Sequence, residues 1–221
     1  MKTATESMPV FRPTLPLYED FCLTLYHSYR SGTVTIGELV QEFETKVCEY
    51  TGVRNAVAVS NCTSGLILAF AALNLPSGSE VIVPSFTFAA TAQALFWNNL
   101  TPVYVDCLRC TLTIDPEQVR KAVTNKTSAI YGVNIFGLPP DLDDLTDISS
   151  KLGIPLILDS AQGLGSSFQG QLSGAFGKCE VFSLSPTKVI TAIEGGLVTT
   201  NDDDYAYKIR CMRDYGKGPD G

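Results

Sequence analysis

Between residues 50 and 159, short β-branched apolar runs alternate with longer segments in which apolar positions recur every three or four residues. The short runs are typical of strands, and the longer periodic segments predict helices. This alternation indicates a mainly parallel sheet with helices on both faces, a three-layer α/β fold. The predicted strands are 56–60, 80–84, 102–106, 128–133 and 154–159, and the predicted helices are 63–75, 91–97, 116–123 and 142–152.

The pattern changes on either side of this region. Residues 180–185 and 195–201 are strand-like, but turns and glycine connect them without a full helix, so we expect a mixed sheet there. Two amphipathic stretches, 17–29 and 36–50, come earlier, and a helical stretch, 203–213, comes last. The sequence has no repeat, low-complexity tract or interdomain linker. We therefore expect one domain.

Length and charge narrow the functional classes. A chain of 221 residues is long enough for one domain with a full core. The net charge of -7 argues against nonspecific binding to nucleic acid or to anionic membranes, which needs excess Lys and Arg. No stretch reaches the roughly 18 apolar residues of a membrane span, and residues 1–16 lack the apolar run of a signal peptide. We expect a cytoplasmic protein that binds small molecules.

The seven cysteines are spread along the chain without the density of a disulfide scaffold, so we expect most to be reduced core residues. Cys107 and Cys110 have the spacing of half a zinc site. A closed zinc site needs four ligands, however, and the single histidine, His27, lies far away in sequence. We predict no metal site.

Three polar segments directly follow predicted strands, where ligands bind in open α/β sheets. The first, SNCTSG at 60–65, opens a helix. It offers a phosphate group free backbone N–H groups, the favourable end of the helix dipole and hydroxyls. N-capping of the helix by Thr63 or Ser64 explains the same residues, so both interpretations stay open at this point.

The other two segments contain Asp159 and Lys188. Asp159 ends an apolar strand, where a carboxylate is costly to bury without a cationic or strongly hydrogen-bonding partner. A protonated pyridine nitrogen would serve, and an N-cap for the turn at 160–163 is the alternative. Lys188 follows a strand through a proline turn, where partial desolvation would suit Schiff-base formation and proton transfer. An ordinary surface lysine has the same local sequence.

Longer motifs surround these segments along nearly the whole chain. They resemble the DegT/DnrJ/EryC1/StrS sugar aminotransferase family, whose members use pyridoxal 5'-phosphate (PLP) and have the aspartate aminotransferase fold, fold type I. The matching segments are SGTVTIGELVQEFE (31–44), YTGVRNAVAVSNCTSGL (50–66), VIVPSFTFAATAQAL (81–95), IFGLPPDLDDL (135–145), LILDSAQGLGSSFQGQLSGAFG (156–177), VFSLSPTKVITAIEGGLVTTND (181–202) and IRCMRDYG (209–216).

The resemblance implies a domain organisation. Residues 1–35 would form an N-terminal arm and helix, and residues 36–221 would form the PLP-binding large domain. Relatives continue well past the segment that matches 213–216, into a smaller C-terminal domain that completes the substrate site. The resemblance thus implies that this small domain is largely missing from the chain, through fragmentation or natural truncation.

The resemblance also implies a role for each site residue. Lys188 would form the Schiff base with PLP and move a proton between substrate and cofactor. Asp159 would pair with the pyridinium nitrogen, and Gln162 would hydrogen-bond near the phenolic oxygen. The other cofactor contacts implied are an aromatic ring stacked on the cofactor and three hydroxyls at its phosphate, namely Phe88, Thr63, Ser64 and Ser183.

The implied activity is ping-pong transamination by a cytoplasmic homodimer, of the kind used in polysaccharide and antibiotic-sugar pathways. An amino acid, usually glutamate, would supply the amine, and a keto-sugar nucleotide would receive it. A related branch dehydrates sugars and has histidine in place of this lysine, so Lys188 favours amino transfer. The alternative is a non-catalytic remnant or partner subunit. An unrelated nucleotide-binding protein is disfavoured, because the sequence has neither GxGxxG nor GxxxxGK[ST].

Three residues depart from the common family pattern. Asn134 stands where many relatives have histidine, Cys62 replaces a common glycine, and Leu184 replaces a common aromatic residue. All three would lie in pocket walls. We expect them to alter substrate preference or affinity before the chemistry itself.

Overall fold

The computed structural model describes residues 11–218. Its helices are α1 (Tyr18–Ser31), α2 (Glu38–Thr51), α3 (Cys62–Leu73), α4 (Ala89–Trp97), α5 (Pro116–Ala122), α6 (Leu142–Leu152) and α7 (Asp203–Arg213). Its strands are β1 (Asn55–Val59), β2 (Glu80–Pro84), β3 (Thr101–Val105), β4 (Thr127–Val133), β5 (Leu156–Asp159), β6 (Ser167–Phe168), β7 (Gln171–Leu172), β8 (Cys179–Ser183) and β9 (Gly196–Thr200).

The main sheet has the strand order β1-β9-β8-β5-β4-β2-β3. From β8 to β3 every neighbouring pair is parallel, whereas β9 runs antiparallel to both β8 and β1. The prediction of a mainly parallel sheet that becomes mixed after residue 159 is confirmed. Since all strands of the main sheet except β9 run in one direction, their carboxyl ends meet at one edge of that sheet.

Helices cover both faces of this sheet, which confirms the three-layer fold. Successive side chains of a strand point to opposite faces, so in β4 Tyr131 packs into one core and Ile130 into the other. The core around Tyr131 includes Leu66 and Phe70 of α3 and extends to α7, while the core around Ile130 is covered by α5 and α6.

Capping residues explain where several helices begin. Asp141 and Asp202 each accept a hydrogen bond from the backbone N–H three residues later, which fixes the starts of α6 and α7 at the predicted positions. The sequence analysis did not predict the small β6–β7 hairpin. Its two turn residues, Gln169 and Gly170, have φ angles of 49° and 83°, the conformation of a tight hairpin turn. Gln-Gly is a weaker signal for that turn than Asn-Gly.

Within residues 11–218, none of the helices is both long enough and apolar enough to cross a membrane. The longest helices, α1 and α2, have 14 residues each. Their apolar positions alternate with charged and polar ones.

Candidate active site

A cavity of about 670 Å³ lies at the carboxyl edge of the sheet. Residues that follow β1, β2, β4, β5 and β8 line it, because these strands all end at that edge. Six of the seven site residues predicted from the sequence contribute to its wall, and only Ser64 does not. The six are Thr63, Phe88, Asp159, Gln162, Ser183 and Lys188.

Asp159 is the last residue of β5 and is 4% exposed. Its Oδ2 accepts a hydrogen bond from Thr91 Oγ1 at 2.7 Å, and its Oδ1 accepts one from the backbone N–H of Ala161 at 3.1 Å. The carboxylate therefore supports the following turn, as one of the two interpretations predicts, and it also lines the cavity. Among the described residues, no cation forms an ion pair with it.

The electrostatics of Asp159 reflect its burial. Removal from water raises the pKa of the Asp159 carboxyl. The hydrogen bonds from Thr91 and Ala161 and the nearby charge of Lys188 oppose that rise, in this order of size. A cationic group in the cavity would stabilise the ionised form further.

Lys188 lies in a turn after β8, and its backbone N–H donates to the carbonyl of Ser185 at 3.0 Å. The side chain is half-buried and lines the cavity. In the described part of the chain its Nζ makes neither a hydrogen bond nor an ion pair with another residue. Lys188 differs from an ordinary surface lysine in its position, because it lines the cavity and lies close enough to Asp159 to influence that carboxyl.

The amino end of α3 forms the side of the cavity next to β1. Asn61 is the N-cap, and its Oδ1 accepts hydrogen bonds from the N–H and the hydroxyl of Ser64 at 2.8 and 2.7 Å. The expectation that Thr63 or Ser64 caps the helix is therefore wrong, because the helix begins one residue earlier than predicted. The backbone N–H groups of Cys62 and Thr63 have no acceptor among the described residues. Both remain available to a negatively charged ligand.

Ser183 ends β8 beside this helix terminus. Its register partner in β9 is Gly196, and an added Cβ at Gly196 would lie 2.5 Å from the carbonyl carbon of Asn61. Only glycine allows β9 to approach the start of α3 so closely. This approach places the hydroxyl of Ser183 on the same cavity as the free amides of Cys62 and Thr63.

Gln162 and two phenylalanines complete the cavity. Gln162 Oε1 accepts a hydrogen bond from the backbone N–H of Phe136 at 2.7 Å, which orients the amide and leaves Nε2 free as a donor in the described structure. Phe88 is 77% exposed and Phe136 is 69% exposed, although both contribute to the cavity wall. These rings are positioned to contact a flat ligand or a second protein surface.

A second buried carboxylate, Glu180, lies behind the cavity and has no exposed surface. Its Oε1 accepts from the N–H groups of Gly174 and Phe176 at 2.5 and 3.0 Å, and its Oε2 accepts from Ser160 Oγ at 2.6 Å. Asn134 Nδ2 donates to Ser160 Oγ at 2.9 Å, while its Oδ1 is buried and has no partner within residues 11–218. Burial raises the pKa of the Glu180 carboxyl against these hydrogen bonds.

Cys62 is the one buried thiol on the cavity wall within residues 11–218. Its Sγ lies 3.9 Å from the carbonyl of Val181. Burial, followed by the charge of Asp159, raises the pKa of this thiol. It therefore stays protonated and packs as an apolar residue.

The sequence analysis missed Asn61, Thr87 and Thr91 as site residues. Thr87 lines the cavity, and Thr91 contacts Asp159. The rule that ligands bind after the carboxyl ends of strands also applies to the segment after β2, where both threonines lie. The available signal was their spacing of four residues at the start of a helix, which places the two side chains next to each other.

Known proteins resemble this chain in sequence and in structure. A model of the DegT/DnrJ/EryC1/StrS aminotransferase family matches residues 17–221. GDP-perosamine synthase of Caulobacter vibrioides is 37% identical over 185 residues, which are 84% of this chain and 50% of that protein. These matches confirm the resemblance seen in the sequence motifs.

Two solved structures illustrate the structural likeness. DesI, crystallised in the presence of its TDP-sugar product, is 41% identical with a TM-score of 0.88 over 95% of this chain and 55% of its own. GDP-4-keto-6-deoxy-D-mannose-3-dehydratase of E. coli, with bound hydrated PLP, is 30% identical with a TM-score of 0.83 over 93% of this chain and 55% of its own. The chain spans about half the length of these relatives.

Proposed function

The chain belongs to the DegT/DnrJ/EryC1/StrS aminotransferase family, and from that premise we propose that it is the PLP-binding part of a sugar-nucleotide aminotransferase. The observation that carries this proposal is the pairing of two groups on one cavity. One is the buried carboxylate of Asp159, which has no cationic partner among the described residues, and the other is the unpaired amine of Lys188.

The residues at the cavity fit PLP in three ways. Asp159 offers a negative charge to a protonated ring nitrogen, which offsets the cost of burying the carboxylate. Free N–H groups at the start of α3 offer donors to a phosphate at the favourable end of the helix dipole. The amine of Lys188 is available for covalent attachment.

We assign each residue the following task. Lys188 would hold the cofactor through Nζ and would move a proton to and from the substrate carbon. Asp159 keeps the proton on the ring nitrogen, and the amide Nε2 of Gln162 donates to the phenolic oxygen. Thr63 and Ser183 would contact the phosphate, and Phe88 would stack on the ring. Ser64, predicted with them, donates its hydroxyl to Asn61 and does not line the cavity.

When bound, PLP supplies an electron sink that stabilises negative charge on the carbon bearing the amine. We propose glutamate as the amine donor and a keto-sugar nucleotide as the acceptor, in two half-reactions. The relatives support the class of acceptor, since one is named a GDP-perosamine synthase and another was crystallised with a TDP-sugar product. Lys188, in the position where a dehydratase would have histidine, favours amino transfer.

We also propose that two copies of the chain associate through the cavity mouth. Exposed apolar side chains lie here: Phe88 and Phe136 line the cavity, and Val189, which is 88% exposed, lies next to Lys188 in an adjoining pocket that Phe136 also lines. A surface of this kind is typical of an interface. Light scattering should show a dimer that Val189→Asp weakens and that Val34→Asp, at an exposed valine away from the cavity, leaves intact.

We propose the cytoplasm as the compartment of this enzyme. All seven cysteines lie among the described residues, and none of them forms a disulfide. Unpaired thiols on the surface, such as Cys22 and Cys110, persist in a reducing compartment. Fractionation of cells that produce the protein should recover it with cytoplasmic markers.

A second candidate function is a non-catalytic partner that binds PLP without turnover. The observation in its favour is the pair of exposed rings at the cavity, Phe88 and Phe136, which offer an apolar surface to a partner. Release of 2-oxoglutarate from glutamate distinguishes the candidates, because a partner that only binds PLP would release none.

The decisive experiment compares the visible spectra of three proteins incubated with PLP. After unbound PLP is removed, the parent should show an absorption band shifted from that of free PLP, which sodium borohydride abolishes, and Lys188→Ala should lack this shifted band. Lys151→Ala is the matched control, because Lys151 is an exposed lysine paired with Asp147 on α6. It should keep the band.

Mass spectrometry after reduction should then place the added pyridoxyl mass on the peptide that contains Lys188. A band that persists in Lys188→Ala, or a label on another lysine, would contradict the assignment. Absence of the shifted band and of any label in the parent would refute covalent attachment of PLP to this chain.

A further inference from the structure

Two threonines connect the cavity to the buried carboxylate of Asp159. Thr87 is half-buried on the cavity wall, and Thr91 lies four residues later, inside α4, with no exposed surface. Their Oγ1 atoms are 2.7 Å apart, and Thr91 Oγ1 is 2.7 Å from Asp159 Oδ2. The three side chains form one continuous hydrogen-bonded chain.

The donors in this chain are fixed when Asp159 is ionised. A carboxylate can only accept, so the single hydroxyl hydrogen of Thr91 is donated to Asp159 Oδ2. Thr87 must then be the donor to Thr91 Oγ1. Each donated bond polarises the next hydroxyl, so the contact at Asp159 is stronger than that of an isolated threonine.

The hydroxyl of Thr91 departs from the usual behaviour of threonine within a helix. Such hydroxyls commonly bond the carbonyl three or four residues earlier in the same helix. Thr91 instead reaches a carboxylate in β5, 68 residues later in the chain. This contact, with that of Ala161, opposes the effect of burial on the pKa of Asp159.

We propose that Thr91, supported by Thr87, is a positioning residue that holds Asp159 ionised and aimed at the ring nitrogen of the cofactor. The inference rests on the proposed function, in which Asp159 meets that nitrogen. Oδ2 is held by Thr91 and Oδ1 by Ala161, so the carboxylate cannot rotate without losing a hydrogen bond. Each oxygen keeps a further lone pair for a ligand in the cavity.

The test compares two ligands that differ only in the ring atom facing Asp159. Pyridoxamine 5'-phosphate has the ring nitrogen, and 1-deazapyridoxamine 5'-phosphate has carbon there. Neither can form a covalent bond with Lys188. Calorimetric titration at one neutral pH gives both dissociation constants, and their ratio reports the contact with Asp159 separately from phosphate binding and stacking.

We expect the parent to prefer pyridoxamine 5'-phosphate by about tenfold or more, the value of a charged hydrogen bond. Thr91→Val has nearly the same shape without the donor, and it should reduce the preference by about tenfold. Thr91→Ser keeps the hydroxyl and should restore it. Thr87→Val removes only the second hydroxyl and should reduce the preference by about twofold to threefold.

Other outcomes would overturn the proposal. Equal loss of affinity for both ligands in Thr91→Val, with a lowered melting temperature, would mean that Thr91 only maintains the shape of the pocket. An unchanged ratio in Thr91→Val would exclude any effect through Asp159. Equal affinity of the parent for both ligands would refute the contact between Asp159 and the ring, and failure of the parent to bind either would refute the cofactor site itself.

Discussion

Gly196→Ala should damage both stability and cofactor binding, because Gly196 is where β9 meets the start of α3. An added Cβ would lie 2.5 Å from the carbonyl carbon of Asn61 and 2.6 Å from the backbone nitrogen of Cys62. Carbon atoms in contact are ordinarily at least about 3.5 Å apart. The backbone at Asn61 and Cys62 must therefore move by about 1 Å.

The size of the effect follows from what has to move. Overpacking of a core by one methyl group costs about 1–3 kcal/mol, and here the obstructing atoms belong to the backbone and cannot rotate away. We therefore expect a loss of about 3 kcal/mol in the free energy of unfolding. A 1 Å shift also moves the N–H groups of Cys62 and Thr63, and the loss of one charged hydrogen bond should weaken PLP binding about tenfold or more.

Gly195→Ala is the matched control, because its Cβ would meet only side-chain atoms at ordinary contact distances of 3.4 Å or more. Urea denaturation should place that variant within about 0.5 kcal/mol of the parent. Titration with PLP should find its affinity unchanged. If Gly196→Ala matched the parent in both measurements, the inferred close approach of β9 to α3 would be wrong.

Three further changes concern buried polar groups. Tyr131→Phe should raise the free energy of unfolding by about 1 kcal/mol in urea denaturation, since the buried hydroxyl has no partner in the described structure. Glu180→Ala should cost about 2 kcal/mol or more by leaving the Gly174 and Phe176 amides unpaired; an unchanged midpoint would refute this. Asp159→Asn should weaken PLP binding about tenfold in titration while leaving stability unchanged or higher; unchanged affinity would contradict its role.

The pH dependence of stability tests the burial of Glu180. Because burial raises the pKa of the folded-state carboxyl, the native protein holds this proton to higher pH than the unfolded chain. The resulting stabilisation is present below about pH 4.3, the ordinary glutamate pKa, and is lost as pH rises through the folded-state value. The free energy of unfolding of Glu180→Gln should decline less than that of the parent as pH rises through this window. Parallel pH profiles of the two proteins, measured by urea denaturation, would contradict this.

The sequence alone predicts most of the fold, because local signals and tertiary packing agree. The bounds of β2, α6 and α7 match those predicted. The predicted start of α3 is one residue too late, because Asn61, Thr63 and Ser64 can all cap a helix. Which of them does so depends on where β9 fixes the preceding backbone, and the local sequence does not contain that contact.

The same distinction between local signals and tertiary contacts applies to the site residues. A strand-end rule finds Asp159 and the turn that contains Lys188, since each directly follows an apolar run. The rule also brings the segment after β2 to this edge, but it does not identify Thr91 as the partner of Asp159, because Thr91 lies 68 residues earlier and resembles any threonine in a helix. Such a contact depends on the order in which the strands are arranged.

Asp159 and Glu180 show why strand position carries more functional information than burial. Both carboxyls are buried, have pKa values raised by desolvation and lack an ion-pair partner among the described residues. Glu180 is the second residue of β8, and backbone amides and Ser160 occupy both of its oxygens. Asp159 is the last residue of β5, where the sheet ends and the cavity begins. A carboxylate at that edge can meet a ligand, whereas an equally buried one inside the strand is held by the protein itself.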